Sequence, residues 1–237
     1  LGVFNYKLID KNYFKNNRLI SNNSTLNLEN LIEKLFKNNI KQLIQIGAND
    51  GSRFDILNKF IKRNKTNSIL IEPIKKNFLE LKKNYKKIRC VKLENCAISV
   101  NNDISFLFKV DEKFLKFYDN HIPGITSFNK DHLIKHGVKK KHISKEEVKS
   151  KSIKNIIKNN KLKKLDLLFI DTEGYDGKIV LDFLKIGLFY PIIIFEYIHI
   201  DNKTFEKVVK KLKSKKYKFF PVNENIVCLP NNKSIKV

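Results

Sequence analysis

The sequence predicts an α/β fold: a mostly parallel sheet with helices on both faces. Three observations carry the prediction. Short, almost continuously apolar runs rich in Ile, Leu and Val recur along the chain, amphipathic helical segments separate them, and a turn holding two glycines and an Asp follows the first run. Strands covered on both faces read as apolar runs of this kind. Their alternation with helices is the mark of parallel strand–helix–strand units, and right-handed crossovers then place helices on both sides of the sheet.

The elements follow in chain order. The first 28 residues are polar and Asn-rich, with aromatics at Phe4, Tyr6, Tyr13 and Phe14, and they read as an arm against the rest. Residues 28–38 carry Leu28, Leu31, Ile32, Leu35 and Phe36 at helical spacing, which gives one apolar face. Core strands are expected at 42–46 (QLIQI), 68–72 (SILIE), 88–93 (IRCVKL), 165–170 (LDLLFI) and 191–197 (PIIIFEY). Helices are expected at 53–63, 75–85, 176–186 and 202–213. Residues 100–163 interrupt the rhythm before the fourth core strand, with strand-like runs at 104–110 and 146–151, and read as an insertion. The closing YKFFPVNENIVCLP, 217–230, reads as an antiparallel hairpin around Asn-Glu-Asn. No repeat, low-complexity block or linker divides the chain, so one domain over 1–237 is expected.

Composition narrows the function classes. A hydrophobic share of 42% is too high for a disordered chain. The net charge of +24 raises nucleic acid as a partner. The excess is lysine, however; the only arginines are Arg18, Arg53, Arg63 and Arg89, and arginine is the residue suited to bidentate phosphate and base contacts. The lysines are spread among abundant Asn and Ile, the residues that AT-rich codons supply, so much of the charge reads as compositional. Cys90, Cys96 and Cys228 have neither disulfide nor zinc spacing and fit core thiols in a reducing compartment. No apolar run reaches the roughly 18 residues of a membrane span, and no signal peptide is visible, so a cytoplasmic protein is expected.

The turn "GANDG", Gly47 to Gly51, ends the first strand. In an open α/β sheet ligands bind at the carboxyl ends of the strands. Glycine lets the backbone approach a ligand without a Cβ clash. The second strand ends in Glu72-Pro73, 25 residues past Gly47, the offset at which an acid accepts ribose hydroxyls. The third is followed by Glu94-Asn95-Cys96-Ala97, small and polar, where an adenine edge would lie. A dinucleotide site wants G-x-G-x-x-G, with a glycine where this chain has Asn49, and Asp50 follows it. A carboxylate there repels pyrophosphate and attracts a sulfonium or ammonium. The turn therefore suits a positively charged nucleoside such as S-adenosylmethionine better than NAD.

Five pieces, "IGANDGS" (46–52), "IEP" (71–73), "NCAIS" (95–99), "IDTEGYD" (170–176) and "IIFE" (193–196), occur in the order found in the FkbM family of class I S-adenosylmethionine-dependent methyltransferases. "GITSFNKDHL" (124–133) is similar to a further family segment, so that the chain resembles this family over about residues 40–200. The resemblance implies a Rossmann-like, mostly parallel seven-stranded sheet whose last strand is antiparallel. It implies cofactor contacts at Gly47, Asn49, Asp50, Glu72, Asn95, Cys96 and Ala97, with Ala48, Gly51 and Pro73 beside them in the same motifs. It also implies methyl transfer, commonly to a hydroxyl oxygen of a sugar or secondary metabolite.

Methyl transfer from a sulfonium is an in-line displacement that requires alignment of the acceptor and removal of its proton. Asp171 and Glu173 follow the fourth core strand; Glu196 and His199 follow the fifth. All four are expected to share one pocket. Asp171 could hold the cofactor's amino-acid end, orient the acceptor, bind a metal, or cap the following helix. Glu173 and Glu196 could hold Mg²⁺ or be solvated; His199 could be the base or structural. His121, His132, His136 and His142 are too irregularly spaced in the sequence to argue a metal site. Catalysis without a metal is the expectation, because carboxylates separated by one Thr need not point the same way. The alternatives are an RNA methyltransferase that uses the lysine surface, and a module that holds cofactor or glycan without turnover.

Overall fold

In a computed structural model the described residues are 27–37, 40–53, 55–100, 104–119 and 122–231, with only the backbone at Pro123. The expected arm up to residue 26, and His121, lie outside the described residues.

Helix α1 (Leu28–Lys37) leads into β1 (Gln42–Ile46), α2 (Asn58–Asn64), β2 (Asn67–Ile71), α3 (Lys75–Tyr85) and β3 (Val91–Glu94). β4 (Ala97–Ile98) precedes the insertion, which supplies β5 (Ile104–Val110), α4 (Lys130–Lys135), β6 (Ile143–Lys151) and α5 (Ile153–Asn159). The core resumes with β7 (Leu167–Ile170), α6 (Asp176–Ile186), β8 (Ile192–Glu196), α7 (Asn202–Ser214), β9 (Tyr217–Val222) and β10 (Asn225–Pro230).

Seven strands form one sheet in the order β3-β2-β1-β7-β8-β10-β9. β1, β2, β3, β7 and β8 pair parallel, and β10 runs antiparallel to both β8 and β9. The expected mostly parallel sheet with an antiparallel last strand is present. The order reverses between β1 and β7, the switch point beside which ligands bind in such sheets.

Alternate residues of each strand feed opposite faces, as the two-residue period requires. Ile44, Ile46, Ile69, Ile71, Leu168, Ile170, Ile193 and Phe195 pack with the apolar faces of α5, α6 and α7. Leu43, Leu70, Leu167, Phe169, Ile192 and Ile194 pack with α1, α2 and α3. Among the described residues, no helix is long and apolar enough to cross a membrane.

Several boundaries differ from expectation, among them the starts of β6 at Ile143 and of β7 at Leu167, and two others have a clear local reason. The helix expected from residue 53 starts at Asn58, because the carboxylates of Asp50 and Asp55 take the N–H groups of Ser52, Arg53 and Leu57 into tight turns first. The third strand starts at Val91 and not at Ile88, because Ile88 N–H donates to the Tyr85 carbonyl and continues the end of α3.

The insertion forms a small sheet with β4, in the order β4-β6-β5, with β6 antiparallel to β5 from Ile143 to Lys149. An isolated bridge between Phe108 and Ser127 leads the chain from this sheet to α4. β4 is too short to give a periodic signal in the sequence.

Candidate active site

A cleft of about 300 Å³ lies at the carboxyl ends of β1, β2, β7 and β8, with the insertion as its outer wall. Its floor is the Gly47–Asn49 turn. Gly47 and Ala48 both donate N–H to the Ile71 carbonyl, and Asn49 N–H donates to Glu72 Oε2 at 2.9 Å. Gly47 has φ +84°, and a Cβ there would lie 1.7 Å from the carbonyl oxygen of Asp171. The glycine is needed because two strand ends meet at this point, in addition to any approach of a ligand.

Glu72 lines the cleft but is only 4% exposed. Its Oε1 accepts from Ile74 N–H at 2.9 Å, so its two oxygens tie the β1 turn to the β2 tip. Burial pushes its carboxyl up to about 7 against the lowering effect of these two N–H groups. Pro73, Cys96 and Ala97 line the same end of the cleft. Asn95 lies outside that lining and donates Nδ2 to the carbonyls of Glu72 and Pro73, bracing the β2 tip.

Asp50 and Gly51 lie outside the cleft lining. Asp50 Oδ1 accepts from Ser52 N–H and Arg53 N–H, both at 2.8 Å, and Oδ2 pairs with Arg53 Nε at 3.0 Å. The carboxylate is engaged by the turn itself and does not line the cleft. A Cβ on Gly51 would meet Leu81 and Tyr85 of α3, so that glycine serves helix packing.

At the other end, Asp171, Thr172 and Glu173 leave β7, and His199 follows β8. Asp176, 0% exposed, organises this loop: its carboxylate accepts from Thr172 N–H, Thr172 Oγ1 and Gly174 N–H. Glu173 takes φ +53°, a left-handed conformation rare for a residue with a side chain. This aims its carboxylate at α4, where Oε2 lies 2.9 Å from His132 Nε2. His199 Nε2 stands 3.9 Å from the same Glu173 oxygen and 3.6 Å from Glu196 Oε1. Asp171, Glu173 and His199 share the cleft as expected; Glu196 sits just behind it against His199, its Oε2 buried without a hydrogen bond.

A protein-family model described as Methyltransferase FkbM domain matches residues 45–219. The chain belongs to the FkbM methyltransferase family. No curated protein matches it. A Podospora anserina methyltransferase, PaMTH1, in its SAH-bound form, superimposes at TM-score 0.48 with 13% identity, over 85% of this chain and 76% of that one. An FkbM methyltransferase from Methylobacillus flagellatus KT gives 0.46 with 12% identity, over 79% of this chain and 43% of that one. Fibrillarin of Methanococcus jannaschii gives 0.39 with 10% identity, over 79% of this chain and 64% of that one. This FkbM chain thus spans less than half of the M. flagellatus protein, and none of these likenesses bears on its substrate.

The electrostatics of this FkbM cleft run opposite to those of the whole molecule. Although the chain carries +24, the lining contains Asp55, Glu72, Asp171, Glu173 and Glu224 and, among the described residues, no Lys or Arg. Asp171 is open to solvent within the cleft, yet the surrounding walls strip it of bulk water. That loss, and then the carboxylates of Asp176 and Glu173, hold it well above the usual carboxylate range. Glu196 is also raised, to about 11, first by burial and then by Asp171. Burial also lifts Asp176 to about 6.

Four site residues escape sequence reasoning. Asp55 accepts from Gln45 Nε2 and Leu57 N–H through Oδ1, while its buried Oδ2 accepts no hydrogen bond and its carboxyl is raised by burial. Its place inside an expected helix hid it. Glu224 reaches the cleft because Tyr197 N–H donates to its carbonyl, closing the β9–β10 turn onto the β8 tip; no local signal announces this. His132 and His136 are brought to Glu173 and His199 by the fold of the insertion, a convergence that their spacing in the sequence did not argue. Their separation of four residues, one helical turn, was the available signal.

Proposed function

We propose that this protein is an S-adenosylmethionine-dependent O-methyltransferase acting on a hydroxyl of a small molecule or glycan. The observation that carries the reading is the acidic cleft lining, free of Lys and Arg among the described residues, within a strongly basic chain. Such a lining favours a ligand that carries a sulfonium and an ammonium, and disfavours a dinucleotide pyrophosphate or a nucleic-acid backbone.

The residues present fit the cofactor. Glu72 keeps lone pairs beyond the two N–H groups it accepts, and these would take the ribose hydroxyls. Asp55, with an unpartnered buried oxygen at the cleft, would take the ammonium. Cys96, Ala97, Ile98 and Leu107 give an apolar slot for the base. The cofactor supplies an electrophilic methyl group on a positively charged sulfur. Asp171 would hold the acceptor or the cofactor's charged end, and His199, oriented by Glu196 and Glu173, would draw the proton from the acceptor hydroxyl. Free thiols at Cys90, Cys96 and Cys228 agree with a reducing, cytoplasmic setting.

Calorimetry with S-adenosylhomocysteine and with NAD tests the cofactor, and labelled-methyl transfer to glycans, hydroxylated metabolites and RNA tests the acceptor. Saturable NAD binding with no response to S-adenosylhomocysteine sinks the reading; preferential methylation of RNA replaces the acceptor class.

A further inference from the structure

We propose that His132, His136, Glu173 and His199 form a binding site for a divalent first-row transition-metal ion at the acceptor end of the cleft. One ligand atom from each of these residues lies within 4.8 Å of all the others. The three imidazole rings converge, with centroids 4.6 Å apart for His132 and His136, 4.5 Å for His132 and His199, and 5.0 Å for His136 and His199. Four atoms at this separation need to move inward by less than about 1 Å each to reach the roughly 2.0–2.2 Å at which nitrogen and carboxylate oxygen bind such an ion. Without an ion, the 2.9 Å contact between His132 Nε2 and Glu173 Oε2 is a hydrogen bond, and a metal would take the place of its proton.

The scaffold is built to bring these groups together from distant parts of the chain. His132 and His136 are one helical turn apart on α4 and its C-terminal cap. Glu173 is aimed by its left-handed backbone, with Ser127 Oγ donating to its carbonyl at 2.9 Å and Asp176 holding the residues on either side. Gly174 lets that loop pass close to His199, since a Cβ there would lie 3.2 Å from the His199 carbonyl oxygen. Glu196 Oε1 lies 3.6 Å from His199 Nε2, so a further carboxylate stands beside the cluster.

The donor set selects the ion. Three imidazoles and one carboxylate suit Zn²⁺, Fe²⁺, Co²⁺ or Ni²⁺, whereas Mg²⁺ and Ca²⁺ favour oxygen ligands. A Mg²⁺ held by Glu173 and Glu196 is therefore the wrong metal for this place. Bound here, the ion would clamp the insertion helix to the tips of β7 and β8. His136, Glu173 and His199 line the cleft, so the ion's free coordination positions would face the acceptor. In the methyl-transfer reading, which this consequence rests on, a bound ion would replace His199 as the group that acts on the acceptor proton: the hydroxyl would bind the ion and release its proton to solvent, with His199 held as a ligand. The new O–C bond then forms as the C–S bond breaks, leaving a neutral thioether.

The test uses untagged full chain stripped with a chelator, then titrated with Zn²⁺ in competition with a chromophoric chelator and with Co²⁺ read by visible absorption. The expected result is one Zn²⁺ per chain, a Co²⁺ spectrum of nitrogen–oxygen ligation, and binding at least about 100-fold weaker in H132A/H136A. Glu173→Gln, which preserves shape and removes charge, should also weaken binding. Circular dichroism of the stripped proteins establishes that each variant is folded. Sub-stoichiometric Zn²⁺, or equal affinity in the folded double variant, overturns the site. S-adenosylhomocysteine binding, measured on the same stripped protein, separates the two ideas: Zn²⁺ binding without it defeats the cofactor reading, and the reverse defeats the metal.

Discussion

Replacing Glu72 by Gln gives a variant whose stability should change sign relative to the wild type as pH rises. Both Glu72 oxygens accept backbone N–H groups, from Asn49 and Ile74. Gln offers one oxygen and one NH₂, so one of these N–H groups faces a donor, at a cost of about 1–3 kcal/mol. Against this, Gln carries no charge into a site that is 4% exposed. The wild-type carboxyl rises from 4.5 to about 7 on folding. Between those values the folded state holds a proton that the unfolded state has released, so wild-type stability falls as pH rises through this window. At about 1.4 kcal/mol per unit, the loss attributable to Glu72 approaches 3 kcal/mol above pH 7. Urea unfolding of both proteins should therefore show E72Q less stable near pH 5 and closing or reversing the gap near pH 8, a swing of about 2–3 kcal/mol. Other titrating groups are common to both proteins and cancel. A gap constant to within about 0.5 kcal/mol across that range would refute the burial argument. The same variant should bind S-adenosylhomocysteine about 10- to 100-fold more weakly, through loss of a charged acceptor.

Asp55→Asn should keep the Gln45 and Leu57 contacts and the fold, and weaken S-adenosylhomocysteine by about tenfold in calorimetry, because the free oxygen at the cleft loses its charge. Asp50→Ala should do the reverse, lowering unfolding free energy by about 1–2 kcal/mol through loss of the turn cap while leaving cofactor affinity within about threefold. Gly47→Ala should cost more than about 3 kcal/mol in chemical unfolding, since its Cβ would overlap the Asp171 carbonyl; a well-tolerated substitution would mean that the β1 and β7 ends separate easily.

Much of the fold was legible because it is written in local periodicity. QLIQI, SILIE, LDLLFI and PIIIFEY are apolar at most positions that meet a helix layer, with Gln45 and Ser68 among the buried polar exceptions, and α3 and α6 begin and end at the residues their patterns indicate. The turn after β1 and the acid at the β2 tip were also visible, since a strand end and a glycine are local features. Their roles were not. Asp50 bears the right charge in the right motif, but the direction of a side chain in a five-residue turn depends on which N–H groups lie within reach, and here Ser52 and Arg53 claim it. Glu72 was legible as a strand-tip acid placed for ribose hydroxyls; its burial and its tie between the β1 turn and the β2 tip were not.

What the sequence determined by itself is the layered α/β sheet, its strand-end acids, and membership of a methyltransferase family through motifs spaced along it. What only the tertiary structure decided is the company those acids keep. Glu224 arrives through a hairpin return, and His132 and His136 through the insertion, His132 meeting Glu173 across 41 residues of chain. Periodicity reports which face of an element is buried, because burial repeats with the element. Convergence of single side chains from separate elements does not repeat, and it is set by how those elements pack.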